Sequence, residues 1–545
     1  MRKSVLLLPL MLASVAFAAN CPTVDGNYVV SKDGAIVDVY APLGTTQANI
    51  TVTAENAYYL YAGPLNPGTL EYQKDVQYFL TGGATVVRND NAALNNLFGL
   101  RHDAGASATF TIDNGTYNFG VKKDGVAYNP EKITFQTYSE TAGNDENKKM
   151  IFGANSVVNA FGQRLSIESS GSTSTIIKGT VNVYNTAIPS FTKSVEVPTD
   201  ATYGTFAAIY SGKAIIDGGT VNASQIVTTG TGISVINSGK FNLYADTAVI
   251  LADNMVLGDD NTTTQEKITA NGNLTFRQTK NFVSKANSLI ETAGFINVGD
   301  SHGKSSIEIG GTLNIKGKSG SNSLILKDGS SVVFGENSKL FVASSGRIYM
   351  NSDSVLTIKE GAEIEADFIH TIKNVRIELK GTEVLRNASG TSSAGLLLNA
   401  GSTPTIYVSE TNTIRTVSIN NTANTINLEL GFTGAEDFIA FNDIYATNVS
   451  SNVDVDVIFN VKNFENNRIK IQLSTNSINS GLLSGNVLLN TFNETSGNYE
   501  SADVNLVATG VSGVYWLNVA VPEPAEWAMI LGSLALGFAM YRRRK

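Results

Sequence analysis

The residues best placed to do chemistry are Glu363, Glu365 and Asp367, which alternate with Ile364 and Ala366 and precede His370. Alternation sets the three carboxylates on one face of a strand, where they suit a calcium ion or polysaccharide cleavage. Glycosidase carboxylates must flank a bound sugar, whereas one strand presents its carboxylates side by side. Acid alternating with apolar residue is also the pattern of a solvated strand face. Glu363, Glu365 and Asp367 are therefore weak metal candidates only, and Asp454 and Asp456 make a smaller version of the same pattern. No catalytic residue and no cofactor is assigned.

Other chemistries are excluded by what the chain lacks. Its three histidines, His102, His302 and His370, show no zinc-hydrolase spacing. There is no Gly-x-Ser-x-Gly elbow and no phosphate-binding loop. The one cysteine, Cys21, rules out an intrachain disulfide. It follows Asn20, where a lipoprotein would carry a small residue, so it reads as passive. Charged residues are only 16%, the net charge is −9, and both ends are basic, so the acidity lies in the body. An acidic body without a basic stripe excludes nucleic acid as a partner.

The elements that would position these side chains are short strands. Ile307-Glu-Ile309, Thr312-Leu-Asn-Ile315, Ser331-Val-Val-Phe334, Lys339-Leu-Phe-Val342 and Arg347-Ile-Tyr-Met350 alternate and are bounded by Gly, Asn, Asp and Ser. Val332, Leu340, Ile348, Leu356 and Ile364 recur every eight residues. A looser repeat, a turn glycine followed by apolar-polar-apolar, starts at Gly115, Gly179, Gly219, Gly239, Gly272 and Gly311, mostly with Asn as the polar residue. Such self-similarity predicts stacked coils, and the Asn side chains are placed to ladder from coil to coil. Successive β-sandwiches are the competing arrangement. The spacing predicts an all-β chain: a cap region over 19–102, a parallel β-helix solenoid over 103–430 and a hairpin-rich C-terminal β module over 431–520. The repeat region resembles the parallel β-helix passengers of autotransporter-like and other exported repeat proteins, and many β-helices are lyases or glycoside hydrolases.

The two ends carry an address. Arg2 and Lys3, an apolar run from Val5 to Val15, and Ala16-Phe17-Ala18 form a secretory signal peptide over 1–18, with cleavage after Ala18. At the other end stand Pro522-Glu523-Pro524, an uncharged apolar run from Trp527 to Tyr541, and Arg542, Arg543, Arg544 and Lys545. The prolines end the preceding strand, the run predicts a single transmembrane helix, and the basic cluster is its cytoplasmic stop. This order resembles the PEP-CTERM sorting tail of Gram-negative bacteria, here residues 521–545. The resemblance implies recognition at Pro522, Glu523 and Pro524 by an exosortase, a membrane transpeptidase or protease, and association with exopolysaccharide and biofilm. The expected partners are thus signal peptidase and the Sec machinery, an exosortase-like enzyme, the membrane before processing, and an exopolysaccharide. The expected place is the inner membrane first, then the cell surface or extracellular matrix. The expected function is structural or adhesive and not enzymatic, the alternative being a displayed carbohydrate-active β-helix enzyme.

Overall fold

The structure is a computed structural model. It describes side chains across 109–501 with interruptions, unbroken over 263–419, and beyond them only strand pairing between residues 18 and 519. The chain divides into two units, Met1–Gly346 and Arg347–Lys545. The described residues form strands and no helix.

In the first unit the chain visits three sheets in a fixed order. Lys213–Asp217 lies on the first sheet, Thr220–Ala223 on the second and Gln225–Thr228 on the third. The next coil repeats the visit with Gly232–Ile236, Lys240–Leu243 and Thr247–Ala252, each pairing in parallel with its predecessor. This is the arrangement of a parallel β-helix. Inward positions stack by type. Val221, Phe241, Ile268, Ile290, Leu313 and Leu340 share one register column and are all fully buried. Each such side chain contributes roughly 1.5–3 kcal/mol by leaving water, which one isolated coil has no partner to supply. Parallel pairing of first- and third-sheet strands extends back to Ala18–Asn20 and Gly26–Ser31.

Most asparagines of the repeat ladder as their spacing implies, whereas Asn314 donates to Glu291 at 3.4 Å. Asn159 donates to Asn118 at 2.9 Å, Asn182 to Asn159 at 2.8 Å, Asn222 to Asn182 at 2.7 Å and Asn242 to Asn222 at 2.8 Å. All sit on the second sheet. The turn glycines precede these strands because the corner has no room for a side chain. A Cβ on Gly219 would stand 2.5 Å from the Ile177 carbonyl, and one on Gly239 2.4 Å from that of Ile216. Gly272 does not belong to this set. Its strand, Asn273–Phe276, lies on the third sheet, between Thr247–Ala252 and Ile296–Val298.

The second unit is built the same way. Val355–Lys359, Arg376–Lys380, Thr405–Val408, Asn424–Leu430, Val457–Lys462 and Val487–Asn493 pair in parallel in that order. A second ladder joins Asn460 to Asn427 and Asn490 to Asn460, each at 3.0 Å. Ile348, Leu356 and Ile364 fall on three different sheets, so the eight-residue interval is one side of a coil, not a coil. Antiparallel pairing enters late: Val487–Asn493 turns back as Asn498–Ser501, and Val514–Val519 runs antiparallel to Arg468–Gln472 and Val504–Ala508. Among the described residues no helix is long and apolar enough to cross a membrane. Ala16, the sorting triplet, the apolar run Trp527 to Tyr541 and the basic cluster Arg542 to Lys545 lie outside the described residues, as do Cys21, Asp454 and Asp456.

Candidate functional site

Where one coil of the first unit is interrupted, the surface acquires a pocket. Asn159 and Asn182 are 23 residues apart and Asn222 and Asn242 are 20 apart, but Asn182 and Asn222 are 40 apart. The surplus is inserted after Tyr184, at the corner between the second and third sheets. Its returning end wedges between two coils. The Gly204 N–H donates to the Val183 carbonyl at 2.8 Å, and the Gly204 carbonyl accepts from Ser224 N–H at 2.7 Å. Only glycine fits this rung, because a Cβ there would meet the Gly162 and Gln163 carbonyls at 2.7 Å. The base of the insertion is closed by Asn185 N–H donating to the Thr202 carbonyl at 2.8 Å and by the Thr202 hydroxyl donating to the Asn185 carbonyl at 2.9 Å.

The wedge carries Tyr203 into a column of rings. Phe161 stacks on Tyr184 at 5.4 Å between centroids, Tyr184 meets Tyr203 at 5.3 Å, and Tyr203 stacks on Tyr244 at 4.1 Å with planes 11° apart. The inner end of the column is buried and the outer end, Tyr244, is 39% exposed. Burial and then its neighbours Tyr184 and Tyr244 push the Tyr203 phenol up to about 12, and burial raises Tyr184 as well. The Tyr184 and Tyr203 hydroxyls therefore stay protonated hydrogen-bond donors across the physiological range.

Beside Tyr203 opens a pocket of about 350 Å³ whose lining includes Glu131, Gln163, Arg164, Asn185, Thr205 and Gln225. Gln225 is braced by donating to the Thr205 hydroxyl at 2.7 Å. The Nε of Arg164 is buried without a hydrogen-bond partner. Amides, a guanidinium, one carboxylate and the Tyr203 side chain suit a polyhydroxylated ligand, whose hydroxyls can exchange hydrogen bonds with this polar lining. Comparison with known protein families, curated proteins and solved structures finds no match to this chain. The chemistry of the pocket rests on its own residues.

Glu131 is the one carboxylate in the lining, while glycoside hydrolysis uses two. Elsewhere, Glu291, Asp300, Glu378 and Glu500 have displaced pKa values, and all four are lowered. Lys316 holds Glu291 down; at Asp300 burial is outweighed by the His302 N–H and Arg277; at Glu378 burial is outweighed by Lys380, Arg376 and Thr357; Asn493 and Ser496 lower Glu500. A general acid at neutral pH needs the opposite displacement.

The carboxylates singled out by the sequence do not converge. Glu363 and Glu365 lie on one short strand and Asp367 just beyond it, half-buried, with Asp367 accepting from Ala388 N–H at 3.1 Å. Among the described residues no three His, Cys, Asp or Glu side chains gather as a metal site. His370 is held apart from them by Asn399 at 3.0 Å and by the edge of Tyr349, and burial lowers its pKa. His302 instead pairs with Asp300. Sequence reasoning passed over Tyr203, Arg164 and the rest of the pocket. The signal was present in the doubled interval between Gly179 and Gly219, which marks an insertion and hence a place where a regular face is broken.

Proposed function

We propose that this chain is an exported structural and adhesive protein of the cell surface or extracellular matrix, and that the Tyr203 pocket is where it holds a neutral saccharide. The single observation behind adhesion is the Tyr203–Tyr244 stack beside a pocket of hydrogen-bonding side chains with one carboxylate. The order of the terminal segments supports the address. After Sec export and cleavage behind Ala18, the helix Trp527 to Tyr541 holds the protein in the inner membrane of a Gram-negative cell, with Arg542, Arg543, Arg544 and Lys545 on the cytoplasmic side. An exosortase-type enzyme then acts at Pro522, Glu523 and Pro524 and passes the body outward, toward exopolysaccharide. The rival reading, a polysaccharide lyase or glycoside hydrolase, needs a second carboxylate across the pocket from Glu131.

Two measurements test the two halves. Intact mass and cell fractionation of the native protein, with and without a Pro522-Glu523-Pro524 to Ala-Ala-Ala change, should give a shortened surface form and a full-length inner-membrane form respectively. Tail retention in both would sink the sorting half. Calorimetric titration with cellohexaose and maltohexaose should give binding without release of shorter sugars. Product release would turn the assignment to an enzyme.

A further inference from the structure

Two arginines of the second unit meet on one aromatic ring. Arg347 and Arg415 both lean on the ring of Phe368, their guanidinium carbons 5.4 and 5.9 Å from its centroid. Among the described residues neither forms an ion pair, and Nε of Arg415 is buried without a hydrogen-bond partner. In a chain of net charge −9, whose other lysines and arginines often meet carboxylates, such a pair is conspicuous.

The arrangement is built into the backbone. Arg347 and Phe368 are register partners on adjacent strands, and Phe368 is in turn the partner of Gly395. A Cβ on Gly395 would stand 2.4 Å from Cε1 of Phe368, so the ring lies down on a strand kept bare at that point. Arg415 N–H donates to the Ala394 carbonyl at 2.9 Å, which fixes Arg415 one rung further along, and its side chain reaches back across the bare position to the same ring. Each guanidinium is thus oriented by a cation–π contact that leaves its charge available. Tyr349 and His370 stand in the adjoining column.

We infer that Arg347 and Arg415, braced on Phe368, bind the carboxylates of an acidic polysaccharide. Guanidinium forks take carboxylates in bidentate pairs. Two guanidinium forks leaning on one ring can each take a carboxylate of a polymer of uronic acids. Nucleic acid is disfavoured, because two cations in an acidic body release few counterions. The inference rests on the reading of the chain as a glycan-contacting surface protein, but it uses other residues, in the second unit.

The test is titration of the full chain with hexagalacturonate and, separately, with cellohexaose, for wild type, R347Q/R415Q, R347K/R415K and Y203A/Y244A. Hexagalacturonate should bind wild type in a salt-sensitive way, weaken at least about tenfold in R347Q/R415Q, and weaken less in R347K/R415K, which keeps charge but loses the fork. Y203A/Y244A should leave it unchanged. No binding of hexagalacturonate by wild type, or equal binding by R347Q/R415Q, overturns the inference. So does displacement of hexagalacturonate by inorganic phosphate at equal concentration. If cellohexaose still binds in those cases, the adhesive reading survives alone; if neither sugar binds, both fall.

Discussion

Tyr203 stacks face to face on Tyr244 at 4.1 Å, although Tyr203 belongs to an inserted loop and Tyr244 to a regular coil. The contact extends an aromatic column outward from the buried Phe161–Tyr184 pair, and Tyr203 lines the pocket. Replacing both outer rings should therefore remove the stacking surface while leaving the inner pair in place. Y203A/Y244A is expected to weaken cellohexaose at least about tenfold in calorimetry, since aromatic contacts of this kind contribute about 0.5–1.5 kcal/mol each beyond their buried area. Y203F/Y244F keeps the rings and should lose much less. Equal losses in the two variants would mean that hydroxyls, not ring faces, hold the sugar.

The Asn ladder makes a stability prediction with an internal control. Asn182 is 9% exposed and sits mid-ladder, donating to Asn159 and accepting from Asn222. N182A deletes both bonds and strands an acceptor on Asn159 and a donor on Asn222. The expected cost is about 1–3 kcal/mol, read as a shift in the denaturant midpoint. N242A removes only the bond from Asn242 to Asn222 and should cost visibly less. Identical costs would show that the ladder does not act as a chain.

How much of this the sequence reveals depends on what each feature is made of. The coil is legible because it is periodic: alternation names the inward residues, and the Gly-Thr-Val-Asn recurrence names the second sheet. Asn159 was not legible, because Ser156 stands three residues before it where the other ladder asparagines of the first unit have glycine, so the motif does not flag its strand, Ser156–Phe161. Gly272-Asn-Leu-Thr-Phe276 was misassigned for the converse reason. Glycine precedes strands on more than one side, and a short motif does not carry the count of sides. The pocket was least legible. It arises from a departure from the repeat, and its parts, Arg164, Tyr203 and Gln225, come from three successive passages of chain that share no motif. Glu363, Glu365 and Asp367 formed a motif but, lying on and just past a single strand, had nothing to close around.

Corner glycines should be intolerant in proportion to what stands opposite. G219A would bring a Cβ within 2.5 Å of the Ile177 carbonyl, so the backbone of one coil must move away from the next. G335A, in the turn between Ser331–Phe334 and Lys339–Val342, would meet the Ile309 carbonyl at 3.4 Å and the Gly310 Cα at 3.5 Å, both ordinary contacts. G219A is expected to cost about 1–3 kcal/mol and G335A little. Thermal unfolding of the two variants side by side measures the difference, and a G335A as damaging as G219A would refute the steric account.

Glu378 makes the second unit sensitive to acid. Its carboxylate accepts from Arg376 Nε at 2.7 Å and from the Thr357 hydroxyl at 3.1 Å, and it pairs with Lys380 at 2.7 Å, while Arg376 also reaches Glu429 at 2.8 Å. Burial alone would raise the pKa of Glu378, but these donors bring it down from 4.5 to about 2. A carboxyl depressed on folding stabilises the native state fully above its unfolded value and loses that contribution as pH falls through its folded value. The window of loss is therefore from pH 4.5 down to about 2. E378Q removes the titrating charge. The stability gap between wild type and E378Q should be constant above the upper bound, shrink across the window and vanish near its lower edge. Because Gln retains an amide oxygen for Arg376 and Thr357, the fold should persist in the variant. A gap that stays the same from neutral pH to the bottom of the window would mean that Glu378 acts through shape and hydrogen bonding, and that its negative charge contributes nothing to holding these strands together.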